Sequence, residues 1–427
     1  MTDRHRKLGA SGRSHGLPGK GRSLAALDAV NFFVADVQSG MSPFLGIYLL
    51  TKPGWNAASI GLVMTIGGIA GLVVQTPAGA LVDRTRRKRA LVIGAAVGVS
   101  VGAFIMTIAP SFSVVTTAQL VIGAAGAVFP AAIAAIALGL VGPRGYTYRT
   151  GRMQAFNHAG NAIGAAIAGI AGYLITIKAI FWLVSVLGIF VIASTLTING
   201  RLIDHDLARG LQPQDGGKDT PSGFTVLLRN RPLLVLAVSV LLFHLAHSAM
   251  LPIIGQKLAL ANAGRGALFQ TALIVVAQLV MILMAILAGR RADQWGRKVI
   301  FLAAFVALPL RGVLFTLSNN AAYLIGVEAL DGVGAGIFWV VFPIMVADLT
   351  RGTGHYNAAL GAATTMQGIG AAISTTLAGT IIVIGGYDLA FLTLAGIATL
   401  ALFLFLFGVP ETNPAATTAP AVPVGGG

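Results

Sequence analysis

Cysteine is absent from the 427-residue chain, which excludes disulfides and thiolate metal sites and leaves the redox compartment unspecified. Charge is scarce: Asp, Glu, Lys and Arg make up 10% of the residues, against roughly a quarter in soluble domains. Water is therefore not the solvent of most of this surface. A phosphate-binding loop, a nucleophile elbow and an H-E-x-x-H zinc motif are also missing, which argues against an enzyme, an ATP-driven pump and any resident cofactor. The first 23 residues are basic and rich in Gly and Ser. They lack the apolar stretch of a secretory leader, and the first apolar run is expected to stay in place as a signal anchor.

What is abundant is apolar sequence, 56% of the chain, with a mean hydropathy of +0.83. The 55 glycines lie largely within apolar runs, where small side chains let helices in lipid approach closely. A helix needs about 20 apolar residues to cross the hydrocarbon, and twelve such runs are present. Six lie at 24–50, 59–82, 90–109, 113–141, 153–177 and 179–199, and six more at 232–254, 268–289, 299–317, 321–347, 357–384 and 389–409. The predicted organisation is a basic arm (1–23), a six-helix bundle (24–199), a linker (200–231), a second six-helix bundle (232–409) and a disordered tail (410–427). Linker and tail lack apolar periodicity and are expected to be mobile.

The formal net charge is +15, but the cations sit between apolar runs rather than on a folded basic surface, which excludes nucleic acid as the partner. Of the 29 Lys and Arg residues, 24 fall on the side that holds the arm, the linker and the tail. Only Lys52, Lys178, Lys257 and Arg265 fall on the other side, and Arg311 lies inside a span. The excess of cations in cytoplasmic segments predicts an inner-membrane protein of bacterial type with both termini in the cytoplasm.

The loop after the second span begins Gly79-Ala-Leu-Val-Asp83-Arg84-Thr-Arg86-Arg87-Lys88, and the loop after the eighth begins Gly289-Arg-Arg-Ala-Asp293-Gln294-Trp-Gly296-Arg297-Lys298. The two copies lie 210 residues apart, and Phe33 with Phe243, Pro43 with Pro252 and Gly123 with Gly332 keep nearly that offset. A duplicated six-helix unit accounts for the pattern. These loops resemble the G-x-x-x-D-R-x-G-R-K/R motif of the major facilitator superfamily. The first copy departs at Arg86 and the second at Gln294. The resemblance implies an all-α membrane fold of two pseudo-symmetric six-helix bundles. It also implies a role for Gly79, Asp83, Arg84, Arg87 and Lys88, with Gly289, Asp293, Arg297 and Lys298, in locking one conformation. In that family the loop aspartate faces the positive end of a neighbouring helix, a favourable place for an anion. Gly160-x-x-x-Gly164-Ala165-x-x-Ala168-Gly169 is similar to the fifth-helix glycine motif of the family's proton-coupled exporters, with Ala165 in place of its proline. The competing reading of this motif is ordinary close packing.

Ionisable residues at membrane depth are costly and mark functional sites by default. Asp36 lies about 18 Å into the first span at 1.5 Å per residue. His244 and His247 share one face of the seventh span. The resemblance implies that spans 1, 4, 7 and 10 line a central cavity, where Asp36 and these histidines would face one another. Imidazole titrates near neutrality and a desolvated carboxylate holds its proton more tightly, so such a group is suited to moving protons. Glu328 and Asp331 lie on the tenth span. Arg311 and Glu328 lie at similar depth and form a candidate ion pair, which leaves Asp331 as the freer acid. His158, beside Asn157 and Asn161, is expected in a polar contact between helices.

The expected function is alternating-access transport of a small molecule, with proton-coupled export of drugs or other organic compounds preferred, acting as a monomer in the bilayer. A divalent-metal exporter using Asp36, His244 and His247, an uptake permease and a non-transporting sensor are the alternatives. No dedicated metal motif is present, and the substrate is not encoded in helix spacing.

Overall fold

The computed structural model describes residues 19–209, 223–262, 264–351 and 356–413. Most of the basic arm, the middle of the linker and the tail from residue 414 lie outside the described residues. Among the described residues fifteen α-helices follow one another: α1 (Lys20–Ser39), α2 (Ser42–Leu50), α3 (Ala57–Arg84), α4 (Lys88–Ile108), α5 (Phe112–Gly126), α6 (Val128–Leu174), α7 (Lys178–Thr197), α8 (Gly223–Arg229), α9 (Arg231–His247), α10 (Met250–Ala261), α11 (Gly266–Trp295), α12 (Arg297–Leu314), α13 (Ala321–Val327), α14 (Ala329–Leu349) and α15 (Tyr356–Gly408). No strand occurs among the described residues. Backbone polar groups in lipid must be satisfied within the segment, which leaves the helix as the only open-chain solution.

Among the described residues, eight helical stretches are long and apolar enough to cross a membrane by length and composition alone. Dividing α6 at Gly142 and α15 at Gly385 and Gly386 adds two, and α1 with α2 and α12 add two more, an arrangement consistent with twelve spans. Gly142 and Gly386 have φ of 70° and 81°, a region open to glycine at little cost. The fifth span therefore begins directly after Gly142, about ten residues before the start at 153 expected from hydropathy. Its early residues include Arg149 and Arg152, which bind the Asp28 carboxylate of α1 at 2.7 and 2.9 Å. Pairing allows these cations to be helical close to lipid.

Spans 1, 4, 7 and 10 are each interrupted, at Gly40–Met41, Ala127, Ser248–Ala249 and Glu328. Pro43, Pro130 and Pro252 sit in the first turn of α2, α6 and α10, where the missing N–H removes no helical bond. Two buried apolar clusters result. One takes its residues from Ala26 to Ala208, with Ala267 added from α11, and the other from Leu227 to Val409.

The bundles meet on the face away from the termini, here called the distal face. Thr65 Oγ1 donates to the Ala372 carbonyl at 2.5 Å, Thr375 Oγ1 to the Gly61 carbonyl at 3.2 Å, and Thr271 Oγ1 to the Ala165 carbonyl at 3.1 Å. A Cβ on Gly61 or Gly379 would collide with backbone of the other bundle. This conformation is closed at the distal face.

Two expected mobile segments are partly ordered. The start of the linker packs on α6, with Ile203 and Ala208 buried and Asp204 N–H bonded to the Gly139 carbonyl. Glu411 accepts hydrogen bonds from Arg297 N–H (3.0 Å) and Lys298 N–H (3.1 Å) at the start of α12. Composition concealed both, because each depends on one or two specific contacts rather than on a periodic apolar face.

Candidate functional site

Between the bundles lies a cavity of about 890 Å3. Met41, Ser42, Ala127 and Ser248, at the interruptions of spans 1, 4 and 7, line it, and its polar wall is made by Gln38, Gln75, Gln119 and Thr375. Gly40, Ala127 and Ser248 keep right-handed helical dihedrals and bond to the carbonyl four residues back, so the spans bend beside the cavity without unwinding. Gly67 and Gly71 of α3 and Gly123 and Gly126 of α5 complete the wall. Gly67 and Gly123 also bring α3 and α5 into backbone contact. No Asp, Glu, His, Lys or Arg lines this cavity among the described residues. The wall offers amide and hydroxyl groups and no fixed charge.

The expected titratable residues lie beside the cavity rather than on its wall. Asp36, 2% exposed, precedes the cavity residue Gln38 by two positions. Its carboxylate packs against Gly164 of α6 and Gly40 at the break in span 1, and neither of its oxygens has a hydrogen-bond partner among the described residues. The glycine motif thus has a specific geometry. Gly160 packs on the Phe32 backbone, Gly164 on Asp36, and Gly169 on Thr271 of the other bundle.

His244 and His247 are not brought to Asp36. The His244 ring packs edge-on to Phe338, with centroids 4.7 Å apart, and its Nδ1 lies 3.1 Å from the Val240 carbonyl. His247 Nδ1 lies 3.2 Å from Asp331 Oδ1 and 3.4 Å from the Arg311 guanidinium. Arg311, fully buried, lies 3.6 Å from Glu328 and forms its closest ion pair with Asp331. The expected pair of Arg311 with Glu328 is thus present, and Asp331, expected to be the freer acid, is bound as well. Neither Glu328 oxygen has a hydrogen-bond partner within the described residues. The cluster joins both interrupted helices of the second bundle, since His247 ends α9 and Glu328 separates α13 from α14. Arg311 also reaches Met250 Sδ, at the start of α10, at 3.4 Å. Hydropathy hid this arrangement, because depth along a span says nothing about rotation around it.

The two repeated loops are built differently. In the first, Lys88 Nζ donates to the Val82 and Thr85 carbonyls at 2.7 and 3.0 Å, closing the turn on itself. Asp83, Arg84 and Arg87 are exposed, and Asp83 has no ion-pair partner among the described residues. In the second, the Arg297 guanidinium pairs with Asp348 of α14, Lys298 Nζ donates to the Leu406 carbonyl at 2.7 Å, and Gly296 adopts a φ of 91°. The Asp293 side chain lies outside the described residues. A Cβ would meet nothing at Gly79 or Gly289, so local packing does not require glycine there. His158 is exposed, and the polar contact expected there is made by Asn157, whose Nδ2 lies 3.5 Å from the Asn31 carbonyl.

Sequence reasoning overlooked Gln38, Ser42, Gln75 and Ser248. Uncharged polar residues at breaks in apolar spans are the signal that would have found them.

Known proteins share this architecture. The nucleoside transporter NupG superposes with a TM-score of 0.77 at 15% identity, over 90% of this chain and 98% of that one. A point mutant of NupG gives 0.79 at the same identity, over 90% and 99%. Inner membrane transport protein YajR of Escherichia coli (strain K12) is 27% identical over 389 residues, 87% of this chain and 79% of that protein. An uncharacterized MFS-type transporter of Mycobacterium tuberculosis (strain H37Rv) is 48% identical over 392 residues, 92% of this chain and 94% of its own length. The family described as Major Facilitator Superfamily matches residues 27–308 and 265–424. With fold, repeat and sequence in agreement, this chain is a multi-pass membrane transporter belonging to the major facilitator superfamily.

Proposed function

We propose that the protein carries a small, uncharged polar solute through the central cavity by alternating access, exchanging it for protons through Asp36, in the direction of export. The observation that carries this reading is the Asp36 carboxylate, which is buried, without a hydrogen-bond partner among the described residues and two residues from the cavity wall. A charge held at this depth is costly, so gain of a proton stabilises the conformation that buries the acid, and loss of the proton stabilises one that wets it. Solute binding at Gln38 acts on the same helix and shifts the same equilibrium. The carboxylate's seat against Gly164 ties the acid to the glycine motif that supports export. The Lys and Arg distribution favours both termini in the cytoplasm of a bacterial inner membrane, and nothing in the cavity requires a second copy of the chain.

A metal exporter gains no support, because His247 is held beside the Arg311 cation and the described residues contain no group of three or more metal ligands. The nucleoside transporter NupG, which shares this fold, adds nucleosides, neutral and rich in hydroxyls, to the substrates worth testing. The test is proton movement in proteoliposomes containing a pH-sensitive dye, scanned with nucleosides, sugars, amino-acid derivatives, cationic drugs and divalent metals. A neutral solute that drives protons across the membrane supports the reading. Flux of a solute without any proton movement removes the coupling, and absence of all flux returns the sensor alternative.

A further inference from the structure

The first bundle carries a second concavity, away from the central cavity, where the start of α4 meets the start of the linker. Its volume is about 390 Å3, and Arg86, Arg87, Arg89, Ala90, Ile93 and Ile203 line it. Arg89 is fixed in place, donating to the Thr195 and Leu196 carbonyls at 3.1 and 2.9 Å. These belong to the last turn of α7, where the Thr195 carbonyl also accepts from Ile198 N–H at 3.2 Å. Arg86 and Arg87 are exposed, and neither has an ion-pair partner among the described residues. The nearby Asp204 does not compensate them, because its Oδ1 accepts from Asp206 N–H and Leu207 N–H of its own turn. Three cations thus converge on a pocket with no acid in its wall.

Another concavity lies further along α4. At four-residue steps from Ile93, Val97, Val101 and Ile105 line an apolar groove of about 470 Å3 between α4 and α5. Val97, Val101 and Ile105 are exposed. Positions four apart share one side of a helix, and the run from Ile93 to Ile105 extends about 18 Å at 1.5 Å per residue. A basic pocket at the membrane surface, followed inward by an apolar groove, matches a phosphodiester followed by an acyl chain.

We infer that this surface binds one anionic phospholipid from the leaflet beside the chain termini, with its phosphate among Arg86, Arg87 and Arg89 and an acyl chain along α4. Basic residues at the membrane surface attract anionic headgroups, and the groove gives a lipid an advantage that a free anion lacks. A lipid seated here touches the repeated loop, the end of α7 and the linker together, and so bears on the segment that joins the two bundles.

The test is a titration of the purified full chain in neutral detergent with phosphatidylglycerol or phosphatidylcholine, following bound lipid by native mass spectrometry. Phosphatidylglycerol is expected to bind preferentially. Arg86→Gln with Arg87→Gln is expected to weaken it by roughly 25-fold, about fivefold per arginine. Ala90→Trp fills the pocket while keeping every charge and is expected to weaken it as well. Melting of both variants in lipid-free detergent, unchanged from the parent, identifies the loss as one of binding. Equal binding of the two lipids, or unchanged binding in both variants, would overturn the inference. Displacement of phosphatidylglycerol by an equal concentration of inorganic phosphate would also overturn it and identify a free-anion site.

Discussion

Asp36 and Gly164 are in direct contact: a carbon added at Gly164 would overlap the Asp36 carboxylate and its Cβ. The absence of a side chain on α6 creates the space in which the buried acid of α1 sits. Gly164→Ala is therefore expected to destabilise the protein by about 1–3 kcal/mol through overpacking, seen as a lower melting temperature. Combining it with Asp36→Ala should recover part of the loss, because the two positions share one space. A Gly164→Ala variant that melts like the parent would show that the acid has room to move.

Arg311 holds two carboxylates and one imidazole at the breaks of two helices. Arg311→Met leaves the buried Glu328 and the half-buried Asp331 without a cation, and removal of one partner from a buried ion pair costs about 3–5 kcal/mol. The deficit is expected to shrink as pH falls, since protonation of the two carboxylates removes the uncompensated charge. Thermal melts of parent and variant at neutral and acid pH measure this. A deficit that grows on acidification contradicts it.

Glu411 lies just beyond the final span and closes the start of α12. Glu411→Ala removes an anion from a helix N-terminus and leaves four N–H groups, those of Arg297, Lys298, Thr412 and Asn413, without this acceptor. The expected cost is about 1 kcal/mol, measured by melting, with Glu411→Gln losing less. If truncation before residue 411 left stability unaltered, the contact would have no energetic weight.

Closure at the distal face depends on hydroxyl contacts between the bundles. Thr65→Val removes the donor to Ala372 and the acceptor of the 2.7 Å bond from Thr376, at about 1 kcal/mol for each bond lost. A population shift of roughly fivefold or more toward distal opening is expected. The lack of native cysteine makes this measurable, because Ser42→Cys then introduces a single thiol that reports access to the cavity. Its reaction with an impermeant thiol reagent should accelerate from the distal side in the Thr65→Val background. Unchanged access from that side would show that the threonine contacts do not govern closure.

The all-helical membrane fold and the twofold repeat were legible because hydropathy and the Gly79 and Gly289 loops report directly on lipid contact and duplication. The site was less legible. Asp36 stood out as an acid in an apolar run, yet position along a span encodes depth and not the rotation that turns this residue toward Gly164. Arg311 was matched with Glu328 from depth alone, while Asp331, one turn further on, takes the closer position. Gln38, Ser42 and Ser248 were less legible because a neutral amide or hydroxyl carries no charge to mark it inside an apolar run. Glu411 was hidden in a Pro- and Thr-rich tail whose composition signals disorder even where one carboxylate fixes the chain.

The most direct measurement is solute-driven proton flux in proteoliposomes carrying the parent or Asp36→Asn, alongside solute counterflow, which needs no net proton movement. Proton flux lost in Asp36→Asn with counterflow retained is the result predicted by coupling through Asp36. Proton flux undiminished in Asp36→Asn would contradict it and move the coupling site elsewhere, with Glu328 in the Arg311 cluster the first residue to test.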